Sequence, residues 1–349
     1  MVRLGIGNAA TTMLPYRIDW DEIEALAKQQ GLLGVIYDGV VCHTNSTDST
    51  NLWPLTTKLR WIGEVAQEYE LRYALYKKAV ADLEDWYQAH GYRMMLLKGL
   101  ACGQDWPRPE HRSYGDIDIY LFGKYKEADE ALRQAQGPEF KIDRSHHHHT
   151  VFKWQGFTVE NHYDFVNVHV HRSSRELEHI FKGLANTDCT NITDVCLPSA
   201  NLHALFLVRH MVSHFSGARM SLRQVLDWGF FVKAHGKEVD WPWLISVLEK
   251  YHMKAFFDCV NAICVEDLGF DAAIFPYIQF SPKSKERILR DTLSPEFAES
   301  TPKNVWKRVP FKCRRWKANK WKRELCYDDS QWHSFVGGVW NHLLKPAGI

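Results

Sequence analysis

The residues of this chain whose type and spacing most directly suggest chemistry are two carboxylates, Asp116 and Asp118, in the stretch Arg112-Ser-Tyr-Gly-Asp-Ile-Asp-Ile-Tyr-Leu121. Successive side chains of a strand point to opposite faces. The i, i+2 step therefore aims both carboxylates one way and sends Ile117 and Ile119 the other way, into a core. Two anions held together on a rigid strand repel each other, and a cation relieves them. For hard oxygen donors that cation is usually Mg²⁺, with Mn²⁺ the close substitute.

Neighbouring segments add to such a site. Upstream, Arg93-Met-Met-Leu-Leu-Lys-Gly99 reads as a buried strand ending at Lys98-Gly99, where glycine lets backbone approach a ligand closely. Downstream, Gly156-Phe-Thr-Val-Glu-Asn-His162 reads as another strand, and the same period of two puts Glu160 and His162 on one face. Three acidic groups on neighbouring strands could hold two metal ions, one activating an attacking oxygen and one stabilising a leaving pyrophosphate. Each residue also has a plainer reading. Glu160 could be half of a surface ion pair, with Asp164 its competitor as third acid. Lys98 could neutralise phosphate or cap a strand edge. The fork of Arg112 suits a phosphate, although a loop arginine is exposed by default.

Taken together, Leu97-Lys-Gly99, Arg112-x-x-Gly-Asp-Ile-Asp118 and Val159-Glu-x-His162 resemble the uncharacterised nucleotidyltransferase family of the polymerase-β-like superfamily. That superfamily is marked by a strand ending in glycine, an Asp-x-Asp strand and a third acid on a later strand. The helical stretch containing Leu222-Arg-Gln-Val-Leu-Asp-Trp228 and Asp240-Trp241 is also similar, so the resemblance spans roughly residues 93 to 265. It implies an α+β fold with a polymerase-β-like core of mixed sheet and packed helices. It implies Asp116, Asp118 and Glu160 as metal ligands and catalytic carboxylates, with Lys98, Gly99, Arg112, Gly115 and His162 at the nucleotide. The implied reaction moves a nucleoside monophosphate from a nucleoside triphosphate such as ATP to an acceptor hydroxyl or phosphate of unspecified identity, releasing pyrophosphate with Mg²⁺ or Mn²⁺. One departure stands out, since Gly99 is followed by Leu100 and lies 17 residues before Asp116, a longer interval than the superfamily usually has. The alternative reading is a catalytically inactive adaptor that keeps the fold and works through its C-terminal segment.

Elements that must position these residues follow from hydrophobic period. Helical spacing from Asp19 to Gly34 and from Asn51 to His90, broken by the polar run Cys42 to Thr50, predicts a helical region over 1–90. Short strands from Gly91 to about His171, with one helix near Lys124 to Gln136 ended by Gly137-Pro138 and a turn at Gln155-Gly156, predict a catalytic core over 91–190. Helical period returns beyond Pro198, with Asp240-Trp-Pro242 as a helix start, and predicts a C-terminal helical domain over 191–349.

Three histidine groups stand out among 18. Alternation would put His146 and His148 on one strand face and His147 and His149 on the other, where either pair binds phosphate, binds a transition metal or merely edges the sheet. His162, His169 and His171 lie on or beside the Glu160 strand. His203, His210 and His214 share one stripe of a helix, with Arg209 nearby. No HExxH glutamate accompanies them, which favours a polar packing seam over zinc hydrolysis. In the same region Asp227 reads as a structural partner, of Arg223 or of a more distant residue.

Composition bounds the rest. The 349 residues suffice for two or three domains, and a net charge of +1 predicts no partner by itself. Eight scattered cysteines without CxxC pairs suggest reduced thiols. With no signal-like start and no long apolar run, a cytoplasmic protein without a transmembrane segment is expected. Between Lys303 and Arg323, ten Lys/Arg are interleaved with Trp306, Phe311, Trp316 and Trp321 and no acid. That segment is read as a packed, solvated basic face, an anionic or membrane-peripheral surface, or a nucleic-acid contact.

Overall fold

Helices and one small mixed sheet make this an α+β protein. The computed structural model describes residues 1–8, 18–46, 53–169, 171, 173–188, 196–217, 219–276, 278–297, 302 and 304–328. Cys189 and Lys303 lie outside the described residues, as does the side chain of Trp306. The fold divides into two compact units, one formed by Met1–Val65, Trp106–Arg112 and Leu207–Asp328, the other containing Ala66–Asp105 and Ser113–Phe206.

The first unit is helical, and its helices begin where the sequence offers caps. Asp19 accepts the backbone N–H groups of Asp21 and Glu22 to start helix Trp20–Gln30, which ends at Gly31 with φ 69°. Ser221 and Gln224 form a capping box ahead of Leu222–His235, and Asp240 caps Trp241–Lys250 with Pro242 in its first turn. Trp228, Phe230, Phe231, Phe256 and Phe257 fill the core. Contrary to the expected loop from Cys42, helix Leu33–Ser46 runs on through that residue. Once the apolar run Leu33 to Val41 has nucleated a helix, each further residue is cheap to add. The remainder of that polar run, from residue 47, lies outside the described residues.

The second unit holds the sheet. Its strands are β1 (Met95–Leu96), β2 (Ile117–Tyr120), β3 (Ile142–Asp143), β4 (His149–Trp154) and β5 (Phe157–His162), in the spatial order β1-β2-β5-β4-β3. β2 and β5 run parallel, and the other neighbours are antiparallel. Gln155 and Gly156, both at positive φ (47° and 86°), make the tight turn between β4 and β5. Period two then sorts the faces. Ile117, Ile119, Phe152 and Val159 pack into an apolar core with Tyr76, Leu83 and Leu132, drawn from helices Arg72–Ala89 and Tyr125–Gln136. On that same side Asp129 accepts hydrogen bonds from Thr150 Oγ1 (2.7 Å) and Asn161 Nδ2 (2.8 Å), a buried polar knot. The opposite face carries Asp118, Glu160, His162 and His149.

Gly99 shows how tightly the strand end is built. Its backbone sits at φ 68°, and a Cβ there would lie 2.1 Å from Tyr76 Oη, which donates to the carbonyl of Asp116 at 2.9 Å. Gly99→Ala is expected to cost about 2–4 kcal/mol, combining overpacking with left-handed strain. Tyr76→Phe in the same chain should recover part of it by removing the obstructing oxygen. Denaturant midpoints of the two single variants and the double variant measure this, and strict additivity would contradict the contact.

Candidate active site

Asp118 is the centre of the constellation. β2 and β5 pair so that Asp118 lies beside Glu160 and Tyr120 beside His162, and β4 sets His149 opposite His162. Asp118 is buried, and its Oδ1 accepts from Lys98 Nζ at 2.7 Å and from His162 Nε2 at 3.2 Å. Burial alone would raise its pKa. The adjacent Lys98 charge and the His162 hydrogen bond outweigh burial and hold the carboxyl well below the usual carboxylate range.

Glu160 behaves oppositely. Its Oε2 lies 3.7 Å from His162 Nε2, and burial, followed by the negative charge of Asp118, pushes its carboxyl up to about 7. The pair thus divides into one firmly ionised and one readily protonated acid, the pattern expected of two carboxylates crowded into one site. One ligand atom each from Asp118, Glu160 and His162 falls within 4.8 Å of the others, and so does one each from His148, His149 and His162.

The other residues singled out in the sequence are placed as follows. Asp116 is exposed, immediately ahead of β2, outside the 4.8 Å group, yet its charge is among those acting on Glu160. Gly115 beside it is exposed, and a Cβ there would meet nothing within 4 Å. Lys98 and Gly99 come just after β1, beyond Leu97, whose N–H donates to the Asp118 carbonyl at 2.9 Å and ties that strand end to the acid. Asp164, the competitor for third acid, instead accepts from Lys182 Nζ at 2.5 Å. Arg112 belongs to the first unit, buried, with Nε and Nη2 on the two carboxylate oxygens of Asp227 at 2.7 and 2.9 Å.

The histidine run departs from the alternation read in the sequence. His146, His147 and His148 precede β4 as a bend, and only His149 enters the strand. A bend has no period of two, so His148 and His149 both reach His162, at ring-centroid distances of 5.6 and 5.2 Å. Four consecutive histidines at the start of a strand were a visible signal, but which of them converge was not. His169 is exposed, with its ring 5.8 Å from that of His147. His203 is buried with Nε2 at 3.8 Å from Cys102 Sγ, while His210 and His214 pack ring against ring and Arg209 donates to Ser213 and Tyr327. Among the described residues, none of the helical-stripe histidines belongs to a group of three metal-ligating side chains.

Much of the basic segment packs. Phe311 is buried, Lys322 is buried against Asp291 at 2.5 Å, and Trp321 lies under Arg287 and meets Phe215 edge to face. Arg314, Lys317 and Lys320 remain exposed. No described helix is long and apolar enough to cross a membrane, and the seven described cysteines are free thiols. A family model described as "Uncharacterised nucleotidyltransferase" matches residues 16–269. A search of the curated proteins and a search of the solved structures each found no match.

Proposed function

The chain belongs to the uncharacterised nucleotidyltransferase family, and on that premise we propose that it transfers a nucleoside monophosphate from a nucleoside triphosphate to an acceptor hydroxyl or phosphate, releasing pyrophosphate, with Mg²⁺ or Mn²⁺ held by Asp118, Glu160 and Asp116. The observation carrying this reading is the buried Asp118, paired in register with Glu160, in an ion pair with Lys98 and within hydrogen-bond reach of His162. Hard carboxylate oxygens on adjacent parallel strands suit an ion that takes oxygen ligands. When bound, that ion would polarise the reacting phosphate and draw charge onto the leaving pyrophosphate.

The protein's own groups do the rest. Lys98 holds Asp118 ionised; relieved of that pairing by a cation, its ammonium would turn to a triphosphate oxygen next to the backbone of Gly99. His162 orients Asp118 through Nε2, with its Nδ1 near the Asp164 carbonyl at 3.4 Å. Asp116, exposed at the mouth of β2, would complete the carboxylate set. Residues 91–190 would form the catalytic core, of polymerase-β-like type, between N-terminal and C-terminal helical regions.

The test is a calorimetric screen of the four nucleoside triphosphates with Mg²⁺ or Mn²⁺, repeated in Asp116→Asn and Asp118→Asn. Binding is expected to need the metal and to be lost in Asp118→Asn. Metal-independent binding, or binding indifferent to both substitutions, removes the proposal.

A pH dependence follows from Glu160. To hold a metal it must be ionised, so binding at pH values under about 7 expels its proton. Mg²⁺ affinity is expected to fall up to about tenfold per pH unit below 7 and to level off above it. For the metal-free protein the converse is expected. The folded-state value lies above the ordinary 4.5, so the native form keeps an extra proton and loses stability as pH climbs from about 4.5 to 7. Titrations in buffers of different ionisation enthalpy count the released proton. Release of no proton at pH 6 would take Glu160 out of the site.

A further inference from the structure

We propose that His148, His149 and His162 form a separate site for a transition-metal dication of the zinc class. The three imidazoles come from the bend before β4, the first residue of β4 and the last of β5, and one ring nitrogen of each lies within 4.8 Å of the other two. His149 is only 6% exposed, and among the described residues neither of its ring nitrogens has a hydrogen-bond partner; nor does the buried Nδ1 of His148. Buried imidazole nitrogens are ordinarily satisfied, and leaving the lone pair of each of these two rings unused is costly unless something else takes it up.

The backbone holds these rings together. The carbonyl of His148 accepts from the N–H groups of both Tyr163 (3.0 Å) and Asp164 (3.1 Å), and Tyr163 Oη donates to the carbonyl of His146 at 2.8 Å. His149 and His162 face each other across the antiparallel ladder. The bend is therefore stapled to the chain just after His162, and the rings have little room to separate.

Donor chemistry separates this site from the carboxylates next to it. Three imidazole nitrogens suit zinc, nickel, cobalt or copper, whereas magnesium favours oxygen. Three protein ligands leave a fourth position for water, as in a tetrahedral ion of bond length about 2.0–2.1 Å. A tetrahedral ion at that bond length sets its ligand nitrogens about 3.3 Å apart, so binding would draw the three together from within 4.8 Å. His162 belongs to both groups. An ion on the imidazoles takes His162 from Asp118, so occupancy of this site opposes the carboxylate site's function.

Cobalt reports the site directly. With the full-length protein, Co²⁺ is expected to give ligand-field bands of a four-coordinate ion that saturate at one equivalent, are bleached by Zn²⁺ and persist in a large excess of Mg²⁺. His149→Asn and the half-exposed His148→Asn should each weaken cobalt binding by more than the roughly 10–100-fold that loss of an outer-shell partner costs, while Glu160→Gln retains the bands. Far-UV circular dichroism establishes that the variant read is folded, and His148→Asn serves if His149→Asn is not. Bands lost in Glu160→Gln but kept in both histidine variants would mean a single mixed site and overturn the proposal. So would absence of stoichiometric cobalt binding, or binding that survives His148→Asn.

Discussion

Asp118→Asn is expected to lower nucleoside-triphosphate-dependent pyrophosphate release by about 10³-fold or more, with the protein still folded. A metal contributes several kcal/mol to the charge developing in phosphoryl transfer, and each 1.36 kcal/mol is a factor of ten. Asn keeps the size of the side chain and its acceptor oxygen for Lys98 Nζ and His162 Nε2, so the packing around a residue only 3% exposed is preserved. What goes is the negative charge. Without it Lys98 has no anion at that position, and a dication meets an ammonium in place of a carboxylate. Asp116→Asn supplies the comparison, because Asp116 is exposed and only its carbonyl, not its carboxylate, is pinned by Tyr76. A loss of similar size there shows that this carboxylate swings in to join the metal, and an unchanged rate shows that Asp118 and Glu160 suffice without it. Retention of full activity in Asp118→Asn would end the reading of this face as catalytic.

How much of this was legible in the chain depends on the range of each interaction. Ile117 and Ile119 in the core, with Asp118 on the other face, follow from strand period alone. So do Glu160 and His162 together on β5, because alternation is a local property of extended backbone. The caps at Asp19, Ser221 and Asp240 and the turn at Gln155-Gly156 are equally local. That β2 lies parallel to β5, bringing Asp118 level with Glu160, depends on contacts more than forty residues apart and was not in the pattern; the family resemblance supplied only the three acids as a set, the third on a later strand. Alternation failed at His146 to His148 because it was applied to residues that precede their strand. The Thr150–Asp129–Asn161 knot gave no signal, since a buried aspartate on an amphipathic helix looks like any surface acid until its partners are known. In the C-terminal segment, charge and aromatic content described a surface, while the burial of Phe311 and Lys322 is decided by distant partners such as Asp291.

Arg112 is the sharpest instance, and it carries the largest expected effect on stability. The sequence offered it as a phosphate contact, but its fork closes on Asp227, 115 residues away, with Nε and Nη2 at 2.7 and 2.9 Å, and Trp106 Nε1 donates to the same carboxylate at 2.9 Å. Both residues are buried, so removing either leaves an uncompensated charge in a medium that solvates it poorly. Asp227→Ala and Arg112→Ala are each expected to cost about 3–5 kcal/mol, read as a shift in denaturant midpoint. Arg112→Lys should recover little of this, because an ammonium cannot span both oxygens. Combining Arg112→Met with Asp227→Leu should cost less than the sum of the single changes, since the double variant buries no charge. The pair also sets an acid limit. Burial would raise the Asp227 carboxyl, but the Arg112 charge and its hydrogen bonds hold it below the ordinary 3.8. Its contribution is therefore complete at pH values above about 4 and is lost as pH falls through the lower folded-state value. Single-variant costs below about 1 kcal/mol would place this ion pair among solvated surface contacts and return the guanidinium to the candidates for phosphate.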